Sequence, residues 1–435
     1  MPKQPRRHRE PYQLRTHLIH GTSSSRHWDF DHHLVPPMSA SATYRLESVH
    51  RGAQGFEEFA SEAAEMAGHP PILIYDRLDE PTRAMLEENL AYAEGGDIAV
   101  TFATGMAAIS AAIGVLAQAG DEIVAHHTLY GCTYSLLTTW LPRLGITTRF
   151  ADLRREESFK DAVTARTRVV YFETPVNPNL DLIDIAAVRR WMDELHHQHD
   201  FAGRAPVMVV DNTFATPYCQ RPLSLGADLV AHSLTKNIGG FGTDMGGAVI
   251  GSHAFHTALL MYRKDFGGAL SPKAAWPVLV YGLPTLATRL VNQQKTAQRV
   301  ARFLAAHPKV AHVSYPGLES FGQSELARRQ MVADDGKFAP GSMIYFILKG
   351  DEEVATRAAD RFIDYIANQA YCITLAVSLG QIRTLIEEPY TMTHASLPPE
   401  VKLARGVAPG GIRLSIGLED WRDLIDDLRE ALDQV

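Results

Sequence analysis

From Pro81 onward the chain alternates between segments with apolar residues at helical spacing and short runs of β-branched residues. TRAMLEENLAYA (residues 82–93) reads as an amphipathic helix and DIAVTF (97–102) as a buried strand. MAAISAAIGVLAQA (106–119) follows as a nearly all-apolar helix, then EIVAH (122–126) as another strand. The runs RVVYFE (168–173), PVMVVD (206–211), ADLVAH (227–232) and GGAVIG (246–251) continue the series, with the periodic helix LIDIAAVRRWMDELHHQH (182–199) ahead of the second. Strands apolar on both faces and separated by helices imply an α/β domain on a mainly parallel sheet. The stretch from Pro284 to about His307 has helical periodicity and no internal Pro or Gly, so it reads as a connecting helix. Beyond it, VAHVSYP, SMIYFILKG, YCITLAVSLG and GIRLSIGLE read as strands, interleaved with the helices EEVATRAADRFIDYIA and WRDLIDDLREALDQV. The expected organisation is an N-terminal arm over 1–60, a large α/β domain over 61–285, and a linker helix with a smaller α+β domain over 286–435.

The arm is basic, then His-rich, and shows no period; it is expected to be ordered only by packing on something else. Its HWDFDHH run (His27 to His33) lacks helical or hairpin ligand spacing, so no metal site is expected there. A net charge of −8 over 435 residues leaves no global basic field for nucleic acid or an anionic membrane. Cys132, Cys219 and Cys372 lie far apart in no paired motif, which argues against a disulfide framework and fits a reducing compartment. No run approaches the roughly 18 apolar residues of a spanning helix. The basic N-terminus lacks the apolar core of a secretory signal, so a cytoplasmic location is expected.

The most informative stretch is AHSLTKNIGGFGTDMGG, Ala231 to Gly247, in which a strand runs into a glycine-rich turn carrying Lys236 between Ser233, Thr235 and the glycines. A lysine at the mouth of a buried strand loses hydration and its pKa falls, which favours the neutral amine that condenses with an aldehyde. Taken alone, the segment serves equally well as a loop with a surface lysine. Asp211 ends the PVMVVD strand at the edge where open parallel sheets bind ligands. It suits either a protonated ring nitrogen or the capping of its own turn. Thr104, Gly105 and Met106 open the apolar helix, so free N–H groups face the same edge as a phosphate seat, a feature many helix starts share.

In the order phosphate seat, strand-end Asp, strand-end Lys, the chain closely resembles the Cys/Met metabolism family of pyridoxal phosphate enzymes of fold type I. The matching segments run from Tyr75 to Leu418: YDRLDEPTRAMLEENLA, ATGMAAI, LYGCT, VYFETPVNPNL, VVDNTFATP, HSLTKNIGG, RKDFGGALSP, AVSLG and IRLSIGLED. The resemblance implies a large domain with a mainly parallel mixed sheet, a smaller C-terminal α+β domain, and pyridoxal 5'-phosphate bound as an aldimine at Lys236. It implies that Asp211 holds the ring nitrogen, that Gly105, Met106, Ser233 and Thr235 hold the phosphate, and that Tyr75 and Arg77 reach the phosphate of a neighbouring subunit. Tyr130 is then the ring-stacking residue and acid, Asn177 lies near the cofactor's phenolic oxygen and the substrate, and Ser378 and Arg413 bind the substrate carboxylate. At least a homodimer with shared sites is implied, with a tetramer expected.

Cys132 after Tyr130-Gly131 and the pair Lys264-Asp265 are features of the methionine-cleaving members, although a small buried cysteine commonly only packs. The expected reaction is therefore γ-elimination of L-methionine to methanethiol, 2-oxobutyrate and ammonia, with Cys132 among the catalytic residues and Lys264 and Asp265 at the substrate. An O-acetylhomoserine sulfhydrylase or a cystathionine γ-lyase or γ-synthase type of reaction is the alternative, and the SLTK-x-IGG-x-GT texture is similar to the sulfhydrylases. Three positions depart from the family pattern, namely Asp76, Asn237 and Phe241. Asp76 is an acid that could compete for Arg77, and residues 46–74 look longer than the usual link before Tyr75.

Overall fold

The computed structural model describes residues 13–21, 33–61, 71–196, 198, 200, 201, 203–392, 399–404 and 406–435. Seven strands form one sheet: β1 Ile98–Phe102, β2 Glu122–His126, β3 Thr147–Ala151, β4 Thr167–Glu173, β5 Val207–Asp211, β6 Leu229–Ser233 and β7 Gly247–Gly251. Their spatial order is β1-β7-β6-β5-β4-β2-β3. β7 runs antiparallel to both its neighbours and every other pairing is parallel, so the sheet is mixed but mainly parallel, as the apolar runs imply. Alternation along the strands sends Val209, Leu229, Ala231 and Val249 into one apolar layer and Val124, Val170, Phe172, Met208 and Val210 into another. Burying a side chain of this size contributes about 1.5–3 kcal/mol, which holds the strand ends in fixed register.

A second sheet, in the order β10-β11-β12-β9-β8, contains β8 Val310–Ser314, β9 Met343–Leu348, β10 Ile373–Leu375, β11 Thr384–Glu387 and β12 Gly411–Ser415. The helix Leu283–Ala306 runs between the two sheets in sequence; Leu286 and Leu290 join the core beside the first sheet, Val300 and Leu304 that of the second.

The structure changes several sequence-based expectations. The helix read over 106–119 ends at Gly114. β3 was not foreseen because it is mostly exposed and carries Thr and Arg, and β11 because only four residues form it. YCITLAVSLG pairs only over Ile373–Leu375, after which Ser378 (φ 92°) and Gly380 (φ 76°) turn the chain. In the arm, the helix Leu14–His20 buries Leu14 and Leu18 against Leu86, Leu90 and Leu290, as a segment ordered by packing requires. The helix Val49–Glu58, not foreseen from the sequence, buries Gly52 and Gly55 and leaves Val49 and Phe56 exposed. Residues 27–32 of the HWDFDHH run lie outside the described residues. Among the described residues, no helix is long and apolar enough to cross a membrane.

Candidate active site

Parallel β4, β5 and β6 end together and place Glu173, Asp211 and Ser233 along one edge of the sheet. Asp211 Oδ1 accepts the Thr213 N–H at 2.9 Å, and the Tyr171 hydroxyl lies 3.5 Å from Oδ2. The turn-capping role is therefore real, but it occupies one oxygen, and both donors are uncharged. Burial raises the Asp211 pKa, opposed by the Thr213 hydrogen bonds and the His232 imidazole. Glu173, adjacent in register, is pushed well above the ordinary carboxyl range by burial and by Asp211; its Oε1 accepts the Tyr130 N–H at 2.8 Å.

The helix Gly105–Gly114 begins against β6, with Thr104 Oγ1 accepting the Ala107 N–H at 3.0 Å. A Cβ on Gly105 would lie 2.8 Å from the Ser233 Cβ, so only glycine lets the helix start approach this strand end. Met106 Sδ receives the Thr133 hydroxyl at 3.8 Å, which joins the helix start to the Tyr130 loop. Thr235 Oγ1 accepts the Gly246 N–H at 3.1 Å and so closes the turn that carries Lys236.

Lys236 Nζ donates to Ser378 Oγ at 2.7 Å. Its pKa is lowered by burial first and by the Arg413 charge second, partly opposed by Glu387. Arg413 donates to Asn177 Oδ1 at 2.9 Å and to the Ser378 carbonyl at 3.0 Å, and pairs with Glu387 Oε1 at 3.0 Å. The second sheet thus supplies Glu387 and Arg413, and the turn after β10 supplies Ser378, to the lysine of the first. Ser378 holds its carbonyl toward Arg413 and its hydroxyl toward Lys236 from a left-handed backbone, a conformation that favours glycine. On the other side of the turn, Arg289 donates to the Asn237 and Ile238 carbonyls at 2.7 and 3.2 Å. Asn237 is buried beneath Gly380, and Phe241 lies beside the Arg289 guanidinium.

The Tyr130 hydroxyl is pushed up to about 12 by burial and by the thiol of neighbouring Cys132, whose side chain is exposed. Tyr75, Arg77, Lys264 and Asp265 gather elsewhere. Arg77 Nη1 donates to the Lys264 carbonyl, its guanidinium lies 5.5 Å from the Tyr75 ring centre, and Lys264 Nζ sits 3.5 Å from Asp265 Oδ1. Tyr75, Arg77 and Asp265 are solvent-exposed in the single chain. Asp76 does not compete for Arg77, because its carboxylate pairs with buried Arg83 at 2.8 Å.

Sequence reasoning did not single out Glu173 or Glu387. Glu173 was within reach, since it ends a strand at the same edge as Asp211. Glu387 lies on a short strand, and only its partner Arg413 reveals its role. A further cluster, His126, His127 and Asp152, brings ligand-type atoms within 4.8 Å of one another. Hydrogen bonds occupy it: Arg154 takes both Asp152 oxygens at 2.8 and 2.9 Å, and His126 Nδ1 accepts the Leu153 N–H at 3.2 Å.

Comparison with known proteins places this geometry in context. The model of the "Cys/Met metabolism PLP-dependent enzyme" family matches residues 15–433. The L-methionine gamma-lyase of Pseudomonas putida is 41% identical over 401 residues, covering 92% of each chain. That of Treponema denticola is 39% identical over 404 residues, 92% of this chain and 93% of the other. The crystal structure of cystathionine gamma synthase from Xanthomonas oryzae pv. oryzae, in complex with aminoacrylate and cysteine, superimposes with a TM-score of 0.82 at 32% identity over 98% of both chains.

Proposed function

Because the chain belongs to the Cys/Met metabolism family of pyridoxal phosphate-dependent enzymes, we propose that it eliminates the γ-substituent of L-methionine, releasing methanethiol, 2-oxobutyrate and ammonia. The observation that carries this choice within the family is the position of Cys132, exposed at the start of the helix Gly131–Ser135 that Tyr130 caps, where its thiol adds to the upward shift of the Tyr130 hydroxyl. The similarity to two L-methionine gamma-lyases over nine tenths of the chain supports it. The three free thiols suit a cytoplasmic enzyme.

The residues fit pyridoxal phosphate. Asp211 is a half-buried carboxylate whose hydrogen bonds come from uncharged groups, and a protonated ring nitrogen would complete it. The close approach of Gly105 to Ser233 leaves a cradle that a Cβ would fill, beside N–H groups at a helix start. In this reading Lys236 Nζ holds the aldehyde carbon, and Gly105, Met106, Ser233 and Thr235 hold the phosphate. When bound, the cofactor supplies an electron sink for the carbanion formed at the substrate α-carbon.

The protein's own groups do the rest. Arg413, kept in place by Glu387 and Asn177, presents a planar fork to the substrate carboxylate. Lys236, whose lowered pKa favours the neutral amine, accepts the proton from the substrate α-carbon. The β-carbon then loses a proton as its electrons expel the γ-sulfur, and Tyr130, which keeps its own proton at neutral pH, delivers that proton to the departing sulfur beside the Cys132 thiol. Purified, cofactor-loaded protein is expected to release 2-oxobutyrate and methanethiol from L-methionine alone. Product formed only from an acylated homoserine with a thiol would sink this reading and favour γ-replacement.

We further infer a shared site in at least a dimer, because Tyr75 and Arg77 stand exposed on one chain; the tetramer of two such dimers is carried by the family resemblance alone. Arg77→Ala should release cofactor more readily. Mixing it with Lys236→Ala subunits should restore activity at sites where both wild-type residues meet. Absence of recovery in the mixed dimers would argue against sharing.

A further inference from the structure

Behind the sheet lies a buried polar cluster to which the mechanism assigns no part. Glu94, the last residue of the helix Pro81–Glu94, is 1% exposed, His232 is 1% exposed and Asn212 is fully buried. Burying a carboxylate costs stability unless donors meet it, and apolar residues often serve a core equally well, so stability alone is a weak reason for such a group here. Glu94 Oε1 accepts from Asn212 Nδ2 at 2.8 Å and is hydrogen-bonded to His232 Nε2.

The two partners sit on different strand ends. Asn212 follows Asp211, and His232 lies on β6 just before Ser233 and four residues before Lys236. Alternation along β6 puts His232 on the face of Val230, away from Ala231 and from the Gly105–Ser233 cradle. On the site edge, the same two ends are joined by Asn212 N–H to the Ala231 carbonyl at 3.0 Å and by Ser233 N–H to Thr213 Oγ1 at 2.9 Å. Asn212 is held further by Gln220, whose Nε2 donates to Asn212 Oδ1 and to the Thr174 carbonyl at 3.0 Å each. Gln330 donates to Gln220 Oε1 at 3.0 Å and closes the far end of the network.

We propose that Glu94 is a positioning residue: by accepting from Asn212 and His232 through one oxygen, it sets the separation of the strand ends that carry Asp211 and Lys236. The inference rests on the reading of those two residues as the groups that hold pyridoxal phosphate. A cofactor held at ring nitrogen, phosphate and aldehyde needs that separation within a fraction of an ångström, and a misplacement of about 1 Å costs about 10²-fold in rate. His232 also favours the ionised form of Asp211, the form that a ring nitrogen needs.

The test uses the full-length protein titrated with pyridoxal phosphate, reading the dissociation constant and the induced circular dichroism of the bound cofactor. Glu94→Ala is expected to weaken cofactor binding by about tenfold or more, the loss of about one hydrogen bond's worth of fixation, and to change the dichroic band. Glu94→Gln, which keeps the shared oxygen, should recover most of both. Gln330→Ala, at the far end of the network, should lower the melting temperature and leave both cofactor readouts unchanged. If Glu94→Ala does not fold, Asn212→Ala cuts the other half of the link and should give the same two cofactor effects. A cofactor constant and dichroic band unchanged in Glu94→Ala or, failing that variant, in Asn212→Ala would overturn the proposal. Wild-type protein that fails to bind the cofactor through Lys236, detected by borohydride reduction and peptide mapping, would instead overturn the underlying reading.

Discussion

Lys236→Ala is expected to lower turnover by about 10⁴-fold or more, the upper range for loss of a positioned acid–base group, and to abolish borohydride fixation of the cofactor. Phosphate-seat binding should persist weakly, because Gly105 and Ser233 are untouched. The pH profile of the wild-type enzyme tests the same assignment. A proton acceptor works only when deprotonated, so the rate should rise with pH and reach its plateau below the ordinary lysine value of 10.5, since burial and Arg413 lower the Lys236 pKa. Tyr130, pushed up to about 12, should keep its proton across that plateau, so the acid limb of the reaction is not lost near pH 10. Near-normal turnover in Lys236→Ala, or a rate that falls as pH rises from 8 to 9, would contradict the roles given to these two groups.

Arg413→Ala is expected to fail in two separable ways. The substrate carboxylate loses two charge-assisted hydrogen bonds of about 1.5–3 kcal/mol each, so kcat/KM should fall by about 10²–10⁴-fold, mainly through KM. Glu387, which is 1% exposed, loses the guanidinium it pairs with, and breaking a buried ion pair typically costs about 3–5 kcal/mol, which should appear as a lower Tm. Arg413→Lys should recover part of the stability but little of the substrate binding, because an ammonium cannot match the planar fork that meets Asn177, Ser378 and Glu387 together. An unchanged KM in a folded Arg413→Ala enzyme would remove Arg413 from the substrate site. Calorimetry and steady-state kinetics on the same preparation separate the two effects.

The parts of the molecule that the sequence shows clearly are those whose burial is local and periodic. Strands covered on both faces must be apolar along their length, so RVVYFE and VMVVD announce themselves, and the polar residue that ends each run marks the sheet edge where ligands bind. That logic places Asp211, Ser233 and Lys236 near one edge of the sheet from the sequence alone. It stopped at elements whose burial is partial or brief, such as exposed β3 and four-residue β11.

What lay beyond the sequence is pairing at long range. Lys236 meets Ser378 across 142 residues, Arg413 meets Asn177 across 236, and Glu94 meets His232 across 138. No period in the chain encodes these contacts, because they depend on how the two sheets and the helix between them pack. The partner of Asp76 shows the same limit: adjacency suggests Arg77, but the helical turn beginning at Pro81 brings buried Arg83 to it instead. The sequence alone determines which elements form and which chemically able residues stand at their ends, since those follow from local burial and backbone preference. Which of those residues touch, and hence which share a proton or a charge, is decided only when tertiary packing removes the water between them.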